Sequence, residues 1–285
     1  MDKASNEEKK NLLIEALSYI QKFQGKIIVI KYGGAAMIEE ELKVHFARDI
    51  VLLQSLGMCP VIVHGGGPEV SRAMEQLGQE VSFIDGLRVT SAENIKVAEM
   101  VLSGTINKEI IAHLNTFDGK AVGLSGKDGH LIEAYKKAPV SGVDLGYVGG
   151  VKSTNPEILH VLLREKFLPV VSPIGLGKDG VTYNLNADTV ASSIAVALKA
   201  DKIIFMTDVD GIMVDGKLQS ELNSEEVKKL IKKQVIRGGM VPKAEAILTS
   251  VASGVRAAYI INGTDPHSVI AELFTDKGTG TKVVL

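Results

Sequence analysis

Short apolar runs rich in β-branched residues recur along the chain, each followed by a glycine loop and then a longer stretch with helical spacing. Ile27–Ile30 leads into Gly33-Gly34 and a predicted helix over 39–56, and Pro60–Val63 leads into Gly65-Gly66-Gly67 and a predicted helix over 68–77. Runs at 121–124, 169–171, 203–206 and 258–261 keep the same grammar. Continuous apolar strands alternating with helices predict an α/β fold whose mainly parallel sheet is covered on both faces. Ligands of such sheets bind beyond the carboxyl ends of the strands, which is where these glycine loops fall. Residues 125–150 break the pattern and read as short strands joined by turns, a hairpin excursion from the sheet. Ahead of the first strand, Leu12, Leu13, Ala16, Leu17 and Ile20 lie at helical spacing and predict an isolated helix over 7–23, ended by Gly25. A second lobe is predicted to begin near 181. No Pro/Ser-rich linker separates the halves, so they are predicted to share one sheet.

Composition narrows the partners. With 285 residues, 45% of them hydrophobic, the chain has ample length for a buried core. A formal net charge of -2 leaves no basic footprint for nucleic acid. The single cysteine, Cys59, excludes a disulfide framework and reads as a buried, inert thiol before Pro60. No apolar run approaches the ~20 residues that span a bilayer. The first residues, MDKASNEEKK, lack the apolar core of a secretory signal and the character of a transit peptide. The reading is a soluble, cytoplasmic protein without nucleic-acid or membrane partners.

The glycine loops carry the candidate chemistry. In Lys31-Tyr32-Gly33-Gly34 a lysine ends a strand just before a turn whose amides are open to an anion. In His64-Gly65-Gly66-Gly67-Pro68 three glycines abut a proline suited to the first turn of a helix, a ready phosphate site. Three successive glycines cost more chain entropy than a turn requires, which favours a functional reading there; His64 reads as structural. Gly211 to Lys217 has the spacing of a nucleotide-binding P-loop, but Leu218 stands where a Ser or Thr should reach magnesium. It reads as a turn. In the second half, Asn184, Asn186 and Asp188 precede an apolar helix over 190–198; one of them suffices as a cap, so the others are free for a ligand. Gly238-Gly239 precede Lys243, a lysine at a predicted helix start where it opposes the dipole, a conflict that a bound anion resolves.

Taken in order, IKYGGAAM, VIVHGGGPEV, DGLRVT, GKDG, YVGGV, YNLNADTVA, MTDVDGI, GGMVPKAEA and IINGT resemble the amino-acid kinase family, and within it the branch that phosphorylates N-acetyl-L-glutamate. No single segment is specific; the ordered set, from about residue 26 to the C-terminus, is. The resemblance implies a three-layer αβα sandwich on a mainly parallel, about eight-stranded sheet. It implies an N-terminal helix (1–24) for oligomerisation and regulation, a substrate and dimerisation lobe (25–180) and an ATP lobe (181–285). By match, Lys31 and Lys243 flank the transferring phosphoryl group and Asp188 orients them. Gly33, Gly34 and Gly66 offer it backbone N–H groups. Gly66, Gly67, Arg88 and Asn184 hold the substrate, and Thr207, Asp208, Val209, Gly211 and Met240 line the nucleotide site. ATP would come with Mg2+ on its phosphates and no protein metal ligand. A γ-carboxylate is ionised at neutral pH, so its attack on phosphorus needs no general base; repulsion between anions is the obstacle. Arginine-inhibited members carry the extra N-terminal helix and interlace dimers into a hexamer. By match, Tyr19, Lys202, Glu272 and Gly278 would bind L-arginine. Glutamate 5-kinase-like, aspartate kinase-like, UMP kinase-like or carbamate kinase-like activity, or a non-catalytic effector sensor on the same fold, stay open as alternatives.

Overall fold

The computed structural model describes residues 3–275 and 278–285, and the side chains of Leu12, Leu13 and Ala16 lie outside those described. Eight strands form the central sheet: β1 (Ile27–Tyr32), β2 (Cys59–His64), β3 (Ala121–Ser125), β4 (Leu168–Ser172), β5 (Lys202–Thr207), β6 (Glu221–Asn223), β7 (Ala257–Asn262) and β8 (Thr281–Val284). Their spatial order is β6-β8-β7-β5-β1-β2-β4-β3, and every pairing is parallel except β7 with β8. One sheet therefore runs through both halves of the chain.

Alternation along the strands assigns each helix to a face. Ile28, Ile30, Ile62, Val170, Ile204 and Ile261 pack beneath one layer of helices. That layer holds α1 (Lys3–Phe23), α2 (Glu40–Ser55), α3 (Gly67–Gln76), α4 (Ala92–Glu99) and α5 (Asn107–Thr116). Val29, Val61, Val171, Ile203, Phe205 and Ile260 face the opposite layer. There lie α6 (Glu157–Arg164), α7 (Ala187–Ala197), α8 (Ser224–Lys232) and α9 (Met240–Ala252). The last helix, α10 (Ser268–Phe274), joins the first layer through Val269 and Leu273. Both faces of the sheet are apolar because both are covered, the αβα arrangement the sequence predicts.

Several elements depart from their predicted bounds. The predicted helix over 190–198 begins at Ala187, since Asn186 caps it by accepting the Thr189 N–H at 3.0 Å; Asp188 thus stands inside the first turn. The excursion over 125–150 is half of a separate four-stranded sheet, whose strands Ile132–Lys136 and Gly149–Thr154 are joined by Ile174–Gly177 and Thr182–Asn184. Cys59 is half-buried rather than buried, because it opens β2 at the sheet's amino end; burial still pushes its thiol up. Among the described side chains, the C-terminal end of helix α1 is what packs into the core. Phe23 is buried, with its ring edge-on to Phe274 at 6.4 Å, while Ile14 and Leu17 remain exposed.

Candidate active site

Strand parity puts Lys31 next to α7 and α9. Val29 and Lys31 share a face of β1, and that face meets the layer holding Asp188 and Lys243. The Asp188 carboxylate sits between the two ammonium groups, with Lys31 Nζ 3.2 Å from Oδ1 and Lys243 Nζ 3.2 Å from Oδ2. Lys243 donates a hydrogen bond there, whereas Lys31 and Oδ1 are paired by charge without an aligned bond. All three side chains are largely buried. Burial pushes the Lys31 ammonium below its ordinary range; Asp188 offsets this in part, and Lys243 adds to the depression. Burial by itself would raise the Asp188 carboxyl, but the two lysines outweigh it and hold it below its ordinary range. Among the described residues two cations share one bonded anion, and Asp208 offsets the excess positive charge only weakly, in a site mostly closed to water. Such a charge is costly unless an anion joins it.

The glycine loops converge beside this charge, with a Cβ at Gly33 lying only 2.7 Å from Lys31 Nζ and 3.8 Å from the Gly65 nitrogen. Gly34, at φ +74°, starts a 3-10 turn that exposes its amide. Gly66 is constrained twice over. Its φ of +149° favours glycine, and a Cβ there would lie 2.3 Å from Ile106 Cδ1 and 2.9 Å from Leu102 Cδ2. Gly67 opens α3 with Pro68 behind it, so free amides point out at the positive end of a helix.

Gly66, Gly67, Arg88 and Asn184 line a single cleft of about 210 Å³ at this end of the sheet. Arg88 is held from below. Its Nη2 donates to the Gly67 carbonyl and to Ser71 Oγ, each at 2.7 Å, and its guanidinium lies 4.6 Å from the Phe83 ring centroid. Asn184 ends the small sheet, with its backbone N–H donating to the Tyr147 carbonyl at 2.9 Å. Ser71 and Phe83, two of the supports of Arg88, are absent from the sequence reading. Ser71 had one signal, its place one helical turn after Gly67.

Beyond β5, Thr207 Oγ1 donates to Asp208 at 3.1 Å, and the Thr207 carbonyl accepts the Gly263 N–H from the neighbouring loop at 2.7 Å. Val209 is exposed. Gly211 (φ +149°) packs where a Cβ would meet Thr281 Oγ1 at 2.5 Å. The P-loop-like spacing after it is a hairpin, Met213–Val214 with Lys217–Leu218, turned by Asp215 and Gly216 at positive φ. Met240 opens α9, half-buried against the core on that face, three residues before Lys243.

The model of the amino acid kinase family matches residues 26–262. An acetylglutamate kinase of Desulforamulus reducens is 51% identical over 281 residues, covering 97% of this chain and 98% of its own. One from Methanocaldococcus jannaschii is 50% identical over 295 residues, covering 99% and 98%. The chain belongs to the amino acid kinase family. Among solved structures, an N-acetylglutamate synthase of Neisseria gonorrhoeae, complexed with coenzyme A and N-acetyl-glutamate, superposes with a TM-score of 0.87 at 28% identity. That match covers 96% of this chain and 63% of the synthase, so this chain spans under two thirds of the synthase's length.

This amino acid kinase has another polar cavity, of about 860 Å³, lined from α1, the start of β5, β7 and α10. Tyr19, Lys202, Glu272 and Gly278 all line it. Parity explains Lys202 as it explains Lys31: it shares a face of β5 with Ile204 and Met206, which pack under α1 and α10. Its ammonium bonds to the Tyr259 hydroxyl and lies 4.9 Å from the Phe23 ring centroid. Burial lowers the Lys202 pKa to about 8. Glu272 Oε2 accepts the N–H groups of Thr279 (2.7 Å) and Gly280 (3.0 Å). Gly278, at φ +61°, leaves no room for a Cβ against that carboxylate. Phe23 and Tyr259, the rings around Lys202, are missing from the sequence reading. Among the described residues, metal-like spacing occurs once, at Glu40, Glu109 and His113 on α2 and α5, where Lys43 already bridges the two carboxylates. No described helix is long and apolar enough to cross a membrane.

Proposed function

We propose that this chain transfers the γ-phosphoryl group of ATP to the γ-carboxylate of N-acetyl-L-glutamate, giving N-acetyl-L-glutamyl 5-phosphate in arginine biosynthesis. One observation carries the chemistry: two lysines, one near the end of β1 and one in the first turn of α9, meet on a single buried carboxylate beside glycine amides. The acceptor follows from the acetylglutamate kinases, half identical over nearly the whole chain. Arg88 and Asn184 suit the α-carboxylate and amide of such a substrate in the cleft they line. Lys31 and Lys243 neutralise the approaching anions, the Gly34 and Gly66 N–H groups face the transferring oxygens, and Asp188 keeps the lysines in place. The loop after β5 and the start of α9 take the nucleotide. Magnesium on the phosphates would supply further neutralisation, and the oxygens nearest the lysines belong to Asp188, already committed to them.

ADP release measured across N-acetyl-L-glutamate, glutamate, aspartate, carbamate and UMP tests this reading. N-acetyl-L-glutamate should turn over fastest; a preference for any other acceptor reassigns the substrate, and no turnover with any favours a sensor.

The same reading makes L-arginine a feedback inhibitor bound in the second cavity. Both backbone N–H groups that bond Glu272 among the described residues go to Oε2, and Oε1 is the oxygen offered to a guanidinium N–H. The exposed apolar residues of α1, Ile14 and Leu17, suit contact with a second copy, in a hexamer built of dimers. At a hundredfold excess over its Kd, L-arginine should add about 2.7 kcal/mol of stability, read as a raised Tm, while slowing turnover. Glu272→Ala should abolish both effects; unchanged Tm in the wild type would remove L-arginine from the account.

A further inference from the structure

His64 ends β2 with its side chain fully buried, and the phosphoryl chemistry gives it no proton to move. Its surroundings nevertheless fix every polar atom of the ring. Nδ1 lies 2.7 Å from the Gly65 carbonyl oxygen, and Nε2 lies 3.2 Å from Asn107 Nδ2. A carbonyl only accepts and an amide NH2 only donates, so Nδ1 carries the proton and Nε2 accepts. The second N–H of Asn107 goes to the Val170 carbonyl at 3.0 Å, and Asn107 Oδ1 accepts from Lys108 Nζ at 3.0 Å. Burial lowers the imidazole pKa to about 4, in keeping with a neutral ring.

The consequence lies in the next peptide plane. The Gly65–Gly66 peptide is trans and planar, so its C=O and N–H point in opposite directions. A carbonyl drawn onto His64 turns the Gly66 N–H away from the buried layer, and Gly66 itself lines the cleft. From below, Leu102 and Ile106 close on the Gly66 Cα. They sit on the widened helical turn Met100–Ile106, which joins α4 to α5, a departure from α-helix of the kind that gathers at functional sites.

We propose that His64 is a positioning residue for phosphoryl transfer: its Nδ1–H holds the Gly65 carbonyl so that the Gly66 N–H faces the transferring group. The inference rests on Gly66 being a donor to that group. Asparagine at 64 places an N–H near the position of Nδ1, while leucine fills the space without a donor. His64→Leu should lower kcat by about 10–100-fold with KM for both substrates changed little, and His64→Asn should recover most of it. Equal loss in both variants, or wild-type kcat in His64→Leu, overturns the proposal. Should His64→Leu fail to fold, nitrogen NMR of the wild-type ring decides. Protonation at Nδ1 is expected; protonation at Nε2, or an imidazolium at pH 7, overturns it. The Gly66 amide signal, followed on adding MgADP, aluminium fluoride and N-acetyl-L-glutamate, separates the two levels. No shift in the wild type removes Gly66 as a donor, whereas an equal shift in wild type and His64→Leu removes only the role of His64.

Discussion

Replacing Asp188 with asparagine should lower turnover by about 10²–10³-fold and weaken the fold at the same time. The carboxylate is the sole anion bonded to Lys31 and Lys243 among the described residues, at 3.2 Å from each. Asparagine keeps the volume and removes the charge, leaving two like charges in a dry pocket. Breaking a buried pair by removing one partner costs about 3–5 kcal/mol. Lys31, already pushed down by burial and by Lys243, would lose its main support and shed its proton more readily. The stabilising part has a pH signature. The folded Asp188 carboxyl titrates below its ordinary value of 3.8, so its ionised form contributes stability above that pH, lost as pH falls through the folded value. Urea midpoints of wild type and Asp188→Asn should therefore differ most near neutrality and approach one another in acid. A variant with wild-type kcat, or an unchanged midpoint at pH 7, would contradict the site as described.

Lys243→Ala should behave differently, and the contrast is the informative part. Turnover should again fall by about 10²–10³-fold, since a charge facing the transferred group is gone. Stability should fall far less than in Asp188→Asn, because Asp188 keeps Lys31 as its partner and no buried charge is left unpaired. Lys243 also stands in the first turn of α9, where a positive charge opposes the helix dipole, and removing it relieves that conflict. Side-by-side kcat and urea midpoints check this. A large loss of stability with little loss of kcat would make Lys243 a structural lysine.

The strands and most helices were legible because their signals are local. Apolar runs end in glycine loops, Asn186 marks a cap and Gly25 a stop, and each lies within a few residues of what it controls. Lys31 and Lys243 were singled out for a local reason as well, each being a cation beside a glycine pair. Their meeting at Asp188 was implied by the family resemblance alone; nothing in the residues themselves announced it. Asp188 and Lys243 lie 55 positions apart, and what unites them with Lys31 is the order of strands and the face on which each side chain emerges. The same limit hid Ser71 and Phe83 under Arg88, and Phe23 and Tyr259 around Lys202. The small sheet escaped for another reason. Its strands Ile174–Gly177 and Thr182–Asn184 are too short to announce themselves by period, and the first is half glycine. His64 shows a subtler case, since a histidine ending a strand reads as ordinary until the carbonyl it holds is seen.

The central claim is that an anionic carboxylate attacks ATP beside these two lysines, and its product is an acyl phosphate. Hydroxylamine converts an acyl phosphate to a hydroxamate, which can be followed by its colour with ferric iron. With MgATP and N-acetyl-L-glutamate, the wild-type protein should form the hydroxamate one for one with ADP, and Lys243→Ala should slow both together by the same factor. ADP release without hydroxamate would mean that the phosphoryl group goes elsewhere, and the account would be wrong at its centre.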